Sequence, residues 1–365
     1  MNPIELARNL GAKAGRRLGS AHKPIVRYLR RGARAREQES FREGAAAIER
    51  QLAALAEGRD PIVVGPWLAE VGYEVLYWIP FLRRFQDAFG IPPERLIVLS
   101  RGGLESLYRP MAGAYVDLFD LMTPQELAAR NAERQRDEER GGQKQSGVGA
   151  FDAELAVAAR KRLGAGDGPL LHPSLLFGLF RHVWYGNLPM DVLWRHTRYA
   201  MARPDTPVPA GLPESYIAVK IYGGPALTHG SAAAVRSVVE QAAALAPVVL
   251  LDHGLGVDEH RDFDLAGIPG VTNAGPRMTA RNNLGLQVEI IARSRFFLGT
   301  CGGLAWLAPF LGTETVALYD DDRLIAPHLL VARQAGAKIG AAPFHATDVR
   351  ALERLAIVGA PVAGR

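Results

Sequence analysis

The 365-residue chain contains a single cysteine, Cys301. One thiol cannot close an internal disulfide, which excludes a disulfide scaffold and fits a reducing, cytoplasmic setting. No Cys/His cluster has the spacing of a structural zinc site, so no metal is expected. No apolar run reaches the length needed to cross a bilayer, and the Arg-rich N-terminus lacks the apolar core of a secretory signal. Aromatic residues make up only 8% of the chain. They are not interleaved with the basic ones, so an RNA-stacking surface is not indicated. What is present, 48% hydrophobic and 22% charged residues, is an ordinary globular composition, and the length suggests two domains.

Charge is unevenly placed. Residues 1–36 hold ten Lys or Arg against one acidic residue, Glu5, while the whole chain is only +5. The body is therefore acidic, and the basic arm stands apart from it. Such an arm attracts anionic lipid headgroups, which would place the protein at the inner face of a membrane. The other reading is a solvated tail. Nucleic acid is not expected as a partner.

Apolar runs alternate with helical patterns along most of the chain. Residues 41–57 read as a surface helix, 61–65 as a buried strand and 73–89 as an amphipathic helix kinked at Pro80. A second strand is expected over 95–100 and a third over 115–121. The TPQE run at 123–126 is a capping box. Residues 130–149 read as an exposed helix end and a mobile loop, followed by a helix over 151–163 and a short strand at 169–171. Four prolines in 203–213 mark a linker. Beyond it strands are expected at 216–222, 247–252, 271–273, 296–299 and 315–319, with helices between them, a helix near 327–335 and a closing helix at 347–357. This alternation implies an α/β fold of two doubly wound Rossmann-like parallel-sheet domains facing a cleft. The expected division is a basic helical arm (1–58), an N-terminal acceptor domain (59–202), the linker (203–213), a C-terminal donor domain (214–345) and a terminal helix and tail (346–365).

The segment 292–319 reads as helix end, strand, Gly-rich loop, short helix and strand. Its loop, Gly299-Thr300-Cys301-Gly302-Gly303, falls where a strand hands over to a helix N-terminus, a place suited to an anion such as phosphate. The other reading of the glycines is tight helix–sheet packing. The segment, with the preceding IIARS, the strand YIAVKIYGG and the N-terminal run GPWLAEVGYEVLYWIPFL, resembles the GT-B glycosyltransferases. The likeness is greatest to the heptosyltransferase branch and to uncharacterised bacterial surface-polysaccharide transferases. Sugar-nucleotide 2-epimerases share that architecture. Where the family's segment typically carries an Asp and a His, this chain has Cys301 and Trp306. The resemblance implies a metal-independent transferase that takes a nucleotide-sugar as co-substrate, without a further cofactor. It would move the sugar to a cell-surface glycan or lipid-linked acceptor.

Within that frame Glu70 and Glu74 are the candidate bases for an inverting transfer; the other role for Glu74 is capping its helix. Lys220 interrupts an apolar strand near its carboxyl end, where it reaches a diphosphate or snorkels to the sheet edge. Tyr222, Gly223, His253, Thr300, Cys301, Gly302, Gly303 and Leu304 are placed around the same donor. Asn283 and Gln287, four residues apart, either bind the nucleotide or cap and flank a helix. Trp67 and Tyr73 either stack on an acceptor sugar or pack in the core. Arg101 and Gly102 either hold the acceptor or form a plain turn. Asp320–Asp322 read as an acidic turn, and His172, His182 and His328 have no evident partner. A non-catalytic nucleotide- or glycan-binding protein and a sugar-nucleotide epimerase are the alternative functions.

Overall fold

The computed structural model describes residues 39–137, 145–204, 210–255 and 261–352. Residues 1–38 of the basic arm, the middle of the Pro-rich linker and the last five residues of the expected closing helix (353–357) lie outside them. The described chain begins with helix α1 over 39–57. It lays Phe41, Ile48, Leu52 and Leu55 on the core at the spacing of an amphipathic helix.

The first unit is a four-stranded parallel sheet of β1 (Ile62–Val64), β2 (Leu96–Ser100), β3 (Ala114–Asp117) and β4 (Leu170–Leu171), in the order β3-β2-β1-β4. Every residue of β1 and β2 is buried, as expected of parallel strands covered on both faces. Helix α2 joins these two strands. It winds as α over Val71–Tyr73, as a π-turn over Glu74–Trp78 and as α again over Ile79–Phe89. The remaining helices are α3 (Glu105–Tyr108), α4 (Pro124–Asp137), α5 (Ala150–Leu163), α6 (Pro173–Trp184) and α7 (Met190–Arg195).

The second unit is a six-stranded parallel sheet of β5 (Ile217–Lys220), β7 (Val248–Leu250), β9 (Val271–Asn273), β10 (Phe296–Thr300), β11 (Thr315–Tyr319) and β12 (Phe344–Asp348), in the order β12-β11-β10-β5-β7-β9. A small antiparallel ribbon, β6 (Tyr222–Gly223) with β8 (Arg261–Asp262), stands at its carboxyl edge. Helices α8 (Ala232–Leu245), α9 (Asn283–Arg293), α10 (Gly303–Leu307) and α11 (Ala326–Ile339) complete the unit. Counted within the unit, the strands run 3-2-1-4-5-6, and the order reverses between β5 and β10. Ligands of such sheets bind outside the carboxyl ends at this switch point. The fold is thus the expected pair of doubly wound parallel sheets.

Four local expectations are corrected. β3 stops at Asp117, because the Asp117 carboxylate accepts the Phe119 N–H at 2.9 Å and turns the chain into a 3-10 helix. Pro80 produces a π-turn ahead of it in place of a simple kink. The Ile79 N–H reaches back to the Glu74 carbonyl, and the Leu76 carbonyl, which Pro80 cannot serve, accepts the Tyr199 hydroxyl at 2.9 Å. Gln145, read as part of a mobile loop, is fully buried and bonded to Leu68, Pro66 and Asp152. The second sheet gains a sixth strand, β12, across the expected boundary at 345, and a helix starts only after it, at 349. The capping box is as read: the Thr123 N–H meets Glu126 Oε2 at 2.8 Å, and the Glu126 N–H meets Thr123 Oγ1 at 3.2 Å.

The two units share one hydrophobic core, which includes Trp78, Phe81 and Leu107 from the first and Trp306, Leu307 and Ile325 from the second. Their backbones touch. The Gly285 N–H donates to the Gly102 carbonyl at 2.8 Å, and a Cβ placed on Gly72 would stand 2.9 Å from the Gly303 nitrogen. Arg281 adds an ion pair with Asp120.

Candidate functional site

β5 ends on Lys220 at the switch point. Pairing with β7 brings Asp252 alongside, and the β6–β8 ribbon brings Asp262. Lys220 Nζ lies 2.6 Å from Asp262 Oδ1 and 3.3 Å from Asp252 Oδ1, and the lysine is 8% exposed. The lysine expected to meet a diphosphate is therefore held by two carboxylates. Burial, with the charge of Asp262 adding and that of Lys220 opposing, pushes the Asp252 carboxyl up to about 7. Beside Asp252 a cavity of about 330 Å³ opens at the carboxyl ends of β7 and β9, lined by Leu250, Asp252, Phe263, Leu265, Val271 and Asn273. His253 follows Asp252 in the chain, with Nδ1 accepting the Leu255 N–H at 3.1 Å.

The Gly-rich loop beyond β10 is filled by the chain's own atoms. Thr300 Oγ1 accepts the Tyr222 N–H and donates to the Tyr222 carbonyl, each at 2.8 Å. Gly72 packs on Gly303 from one side, and the Tyr222 hydroxyl would lie 3.0 Å from a Cβ on Gly303 from the other. Burial pushes the Cys301 thiol up to about 12, so it is no nucleophile at neutral pH. Leu304 and Trp306 are core residues. The expected open phosphate cradle is thus a packed junction, and α10, with five residues, supplies only a short dipole. A Cβ on Gly223 would stand 2.4 Å from the ring of the exposed His229, which would have to shift.

Two further donor candidates face inward. Asn283 Nδ2 donates to the Ala280 carbonyl at 2.7 Å, and Gln287 Nε2 to the Asn283 carbonyl at 3.1 Å; both residues are buried. They serve backbone carbonyls at and just before the start of α9, and neither lines the cavity beside Asp252.

On the facing unit, Glu70 and Glu74 divide sharply. Glu70 stands at the N-cap position of α2 and is partly exposed. Glu74 is fully buried, with Oε1 taking the Ser100 and Tyr108 hydroxyls and Oε2 lacking a hydrogen bond. Burial pushes its carboxyl up to about 7. It cannot reach a substrate, which corrects its reading as a base. Trp67 is likewise fully buried, stacked on Trp78 and Phe177 at 5.6 and 5.8 Å, so it cannot carry a sugar. Arg101 donates to the Ala69 carbonyl of its own unit at 3.0 Å, and Gly102 packs on Leu284, so the glycine belongs to the contact between units.

Tyr73 joins a cluster that the sequence did not reveal. Its hydroxyl lies 3.1 Å from His328 Nε2, and the Tyr77 hydroxyl lies 2.6 Å from His328 Nδ1. The rings of Trp184 and Trp306 complete the enclosure at 5.2 and 5.7 Å. Tyr73 and Tyr77, four apart on one helix, were a legible pair; their partner, about 250 residues later, was not. Tyr185, 71% exposed, stands near Tyr73 at the outer edge. Asp320 accepts from Thr228 and Ser231, and Asp321 pairs with Arg323, which makes 320–322 a structural turn. Among the described residues no group of three or more His, Cys, Asp or Glu is placed to hold a metal ion.

No protein-family model matches the chain, and no curated protein matches its sequence. Solved structures do. One is the iron-containing dodecameric glycosyltransferase TibC of enterotoxigenic E. coli, 13% identical, with a TM-score of 0.37 over 71% of this chain and 60% of that one. The chain thus spans about three fifths of TibC. A glycosyl transferase family 9 protein of Veillonella parvula is 13% identical, with a TM-score of 0.44 over 84% of this chain and 91% of that one. The E. coli heptosyltransferase WaaC, solved with ADP, is 13% identical, with a TM-score of 0.40 over 82% and 99%. The likeness is one of chain path, and all three of these structures are glycosyltransferases.

Proposed function

We propose that this protein is a glycosyltransferase that binds a nucleotide-sugar on the second unit and passes the sugar to a glycan or lipid-linked acceptor held against the first. The observation that carries the reading is the cavity beside Asp252. An acidic residue just past the second strand of a doubly wound sheet is placed to accept hydrogen bonds from a ribose diol. Phe263, Leu265 and Val271 give the apolar wall that a base needs. When Asp252 turns to the ribose, Lys220 keeps Asp262 and gains freedom to meet the departing phosphate at the switch point. Glu70 is the remaining carboxylate for the acceptor proton, and Tyr73 and Tyr185 are the aromatic surface for the acceptor sugar.

Calorimetry with ribonucleoside diphosphates and their 2′-deoxy forms tests this. Ribonucleotides should bind, and Asp252→Asn should lower affinity about 10–100-fold while erasing the preference over the deoxy form. No binding, or a preference untouched by Asp252→Asn, would remove the pocket from the function. A second reading, a nucleotide- or glycan-binding protein without turnover, is favoured by the packing of Gly72 against the Gly303 nitrogen. Saturable binding without sugar transfer or donor hydrolysis would establish it.

A further inference from the structure

A second set of reactive groups lies in the first unit, on the side of β4. Asp152 sits in the first turn of α5, His172 directly follows β4, and Ser174 is in the first turn of α6. His172 Nε2 is 3.3 Å from Asp152 Oδ1, and His172 Nδ1 is 2.9 Å from Ser174 Oγ. Asp152 and His172 are 1% and 2% exposed, while Ser174 is partly exposed.

The surroundings fix the tautomer. Nδ1 accepts the Ser174 backbone N–H at 3.2 Å, so it carries the lone pair. Gln145 Nε2 lies 2.9 Å from both Pro66 O and Asp152 Oδ1 and 3.2 Å from His172 Nε2; with its two hydrogens on the two oxygens, the His172 Nε2 proton is left to face Asp152 Oδ1 at 3.3 Å. The Gly149 N–H holds Asp152 Oδ2 at 2.9 Å. The imidazole is thus oriented from behind by a fixed carboxylate, with its basic nitrogen toward a serine hydroxyl.

Ser174 and His172 both line a cavity of about 360 Å³ whose other walls include Ala54 and Leu55 of α1, Leu170 and Leu175. The twelve-residue α6 begins here, and its dipole favours negative charge beside Ser174. We propose that Ser174, His172 and Asp152 form a nucleophilic relay that cleaves carboxylic esters bearing a short apolar acyl group. Ser174 Oγ attacks the ester carbonyl as its proton moves to His172 Nδ1, and Asp152 balances the imidazolium. The alkoxide leaves with that proton, and water, activated in the same way, releases the carboxylic acid and restores Ser174.

The test uses the full chain, a fluorophosphonate probe and p-nitrophenyl butyrate. One label per chain should map to Ser174, and nitrophenol release should fall at least about 100-fold in Ser174→Ala. That substitution keeps the backbone N–H to His172, and circular dichroism checks the fold. Ser174→Cys is the second variant: iodoacetamide should alkylate position 174 of this variant, faster with His172 present than in a companion carrying His172→Gln. Absence of label at Ser174 in folded protein, or equal ester release from Ser174→Ala, would overturn the proposal.

Discussion

Glu74 sits fully buried, with its two oxygens unequally served. Its ordinary value of 4.5 rises to about 7 in the fold, through burial first, against the hydrogen bonds of Ser100 and Tyr108. A carboxyl raised in this way stabilises the fold fully below about pH 4.5, and that contribution is lost as pH climbs through about 7. The difference corresponds to ~3 kcal/mol. Urea unfolding of Glu74→Gln should show stability flatter over this window than wild type by about that amount, and superimposable pH profiles would refute the assignment. The sequence put Glu70 and Glu74 side by side as equals. What separates them is packing against Ser100 and Tyr108, residues 26 and 34 positions away, which no local pattern encodes.

At the scale of elements, the contact between α2 and α10 depends on two glycines. A methyl group on Gly72 would meet the Gly303 backbone at 2.9 Å and the Trp306 ring at 3.1 Å. Gly72→Ala should therefore cost about 1–3 kcal/mol, the usual range for overpacking. Thermal melting checks this, and an unchanged midpoint would show that the units yield freely at this point. Features carried within four or five residues were legible: the Thr123–Glu126 box, the apolar runs of β1, β2 and β11, and the helical stripe of α1. The π-turn was not. Its stability draws on the Tyr199 hydroxyl, 123 residues from Leu76. The same distance problem hid the tyrosine partners of His328 and the burial of Gln145, whose polar neighbours read as loop.

At the scale of the whole molecule, the alternation of strands and helices was enough to give two parallel sheets, because each buried strand must be covered on both faces. It gave no measure of how tightly the sheets are joined. A core running through both units, backbone contact at Gly102–Gly285 and the Tyr73–His328–Tyr77 cluster make them mutually dependent. Calorimetry should record one unfolding transition whose van't Hoff and calorimetric enthalpies agree, and two separable transitions would contradict this. Tyr77→Phe, which leaves His328 Nδ1 without that hydroxyl, should lower the transition as a whole, by about 1–3 kcal/mol. The π-turn of α2 also sets a phase. One residue added to a helical turn rotates all that follows by about 100°. Tyr73 and Tyr77 reach across to His328, while further along the same helix Phe81 meets Phe180 edge to face. Deleting any one residue of 74–78 would rewind the helix regularly, and these two sets of rings could no longer both find their partners. The length of that stretch is therefore as constrained as its composition.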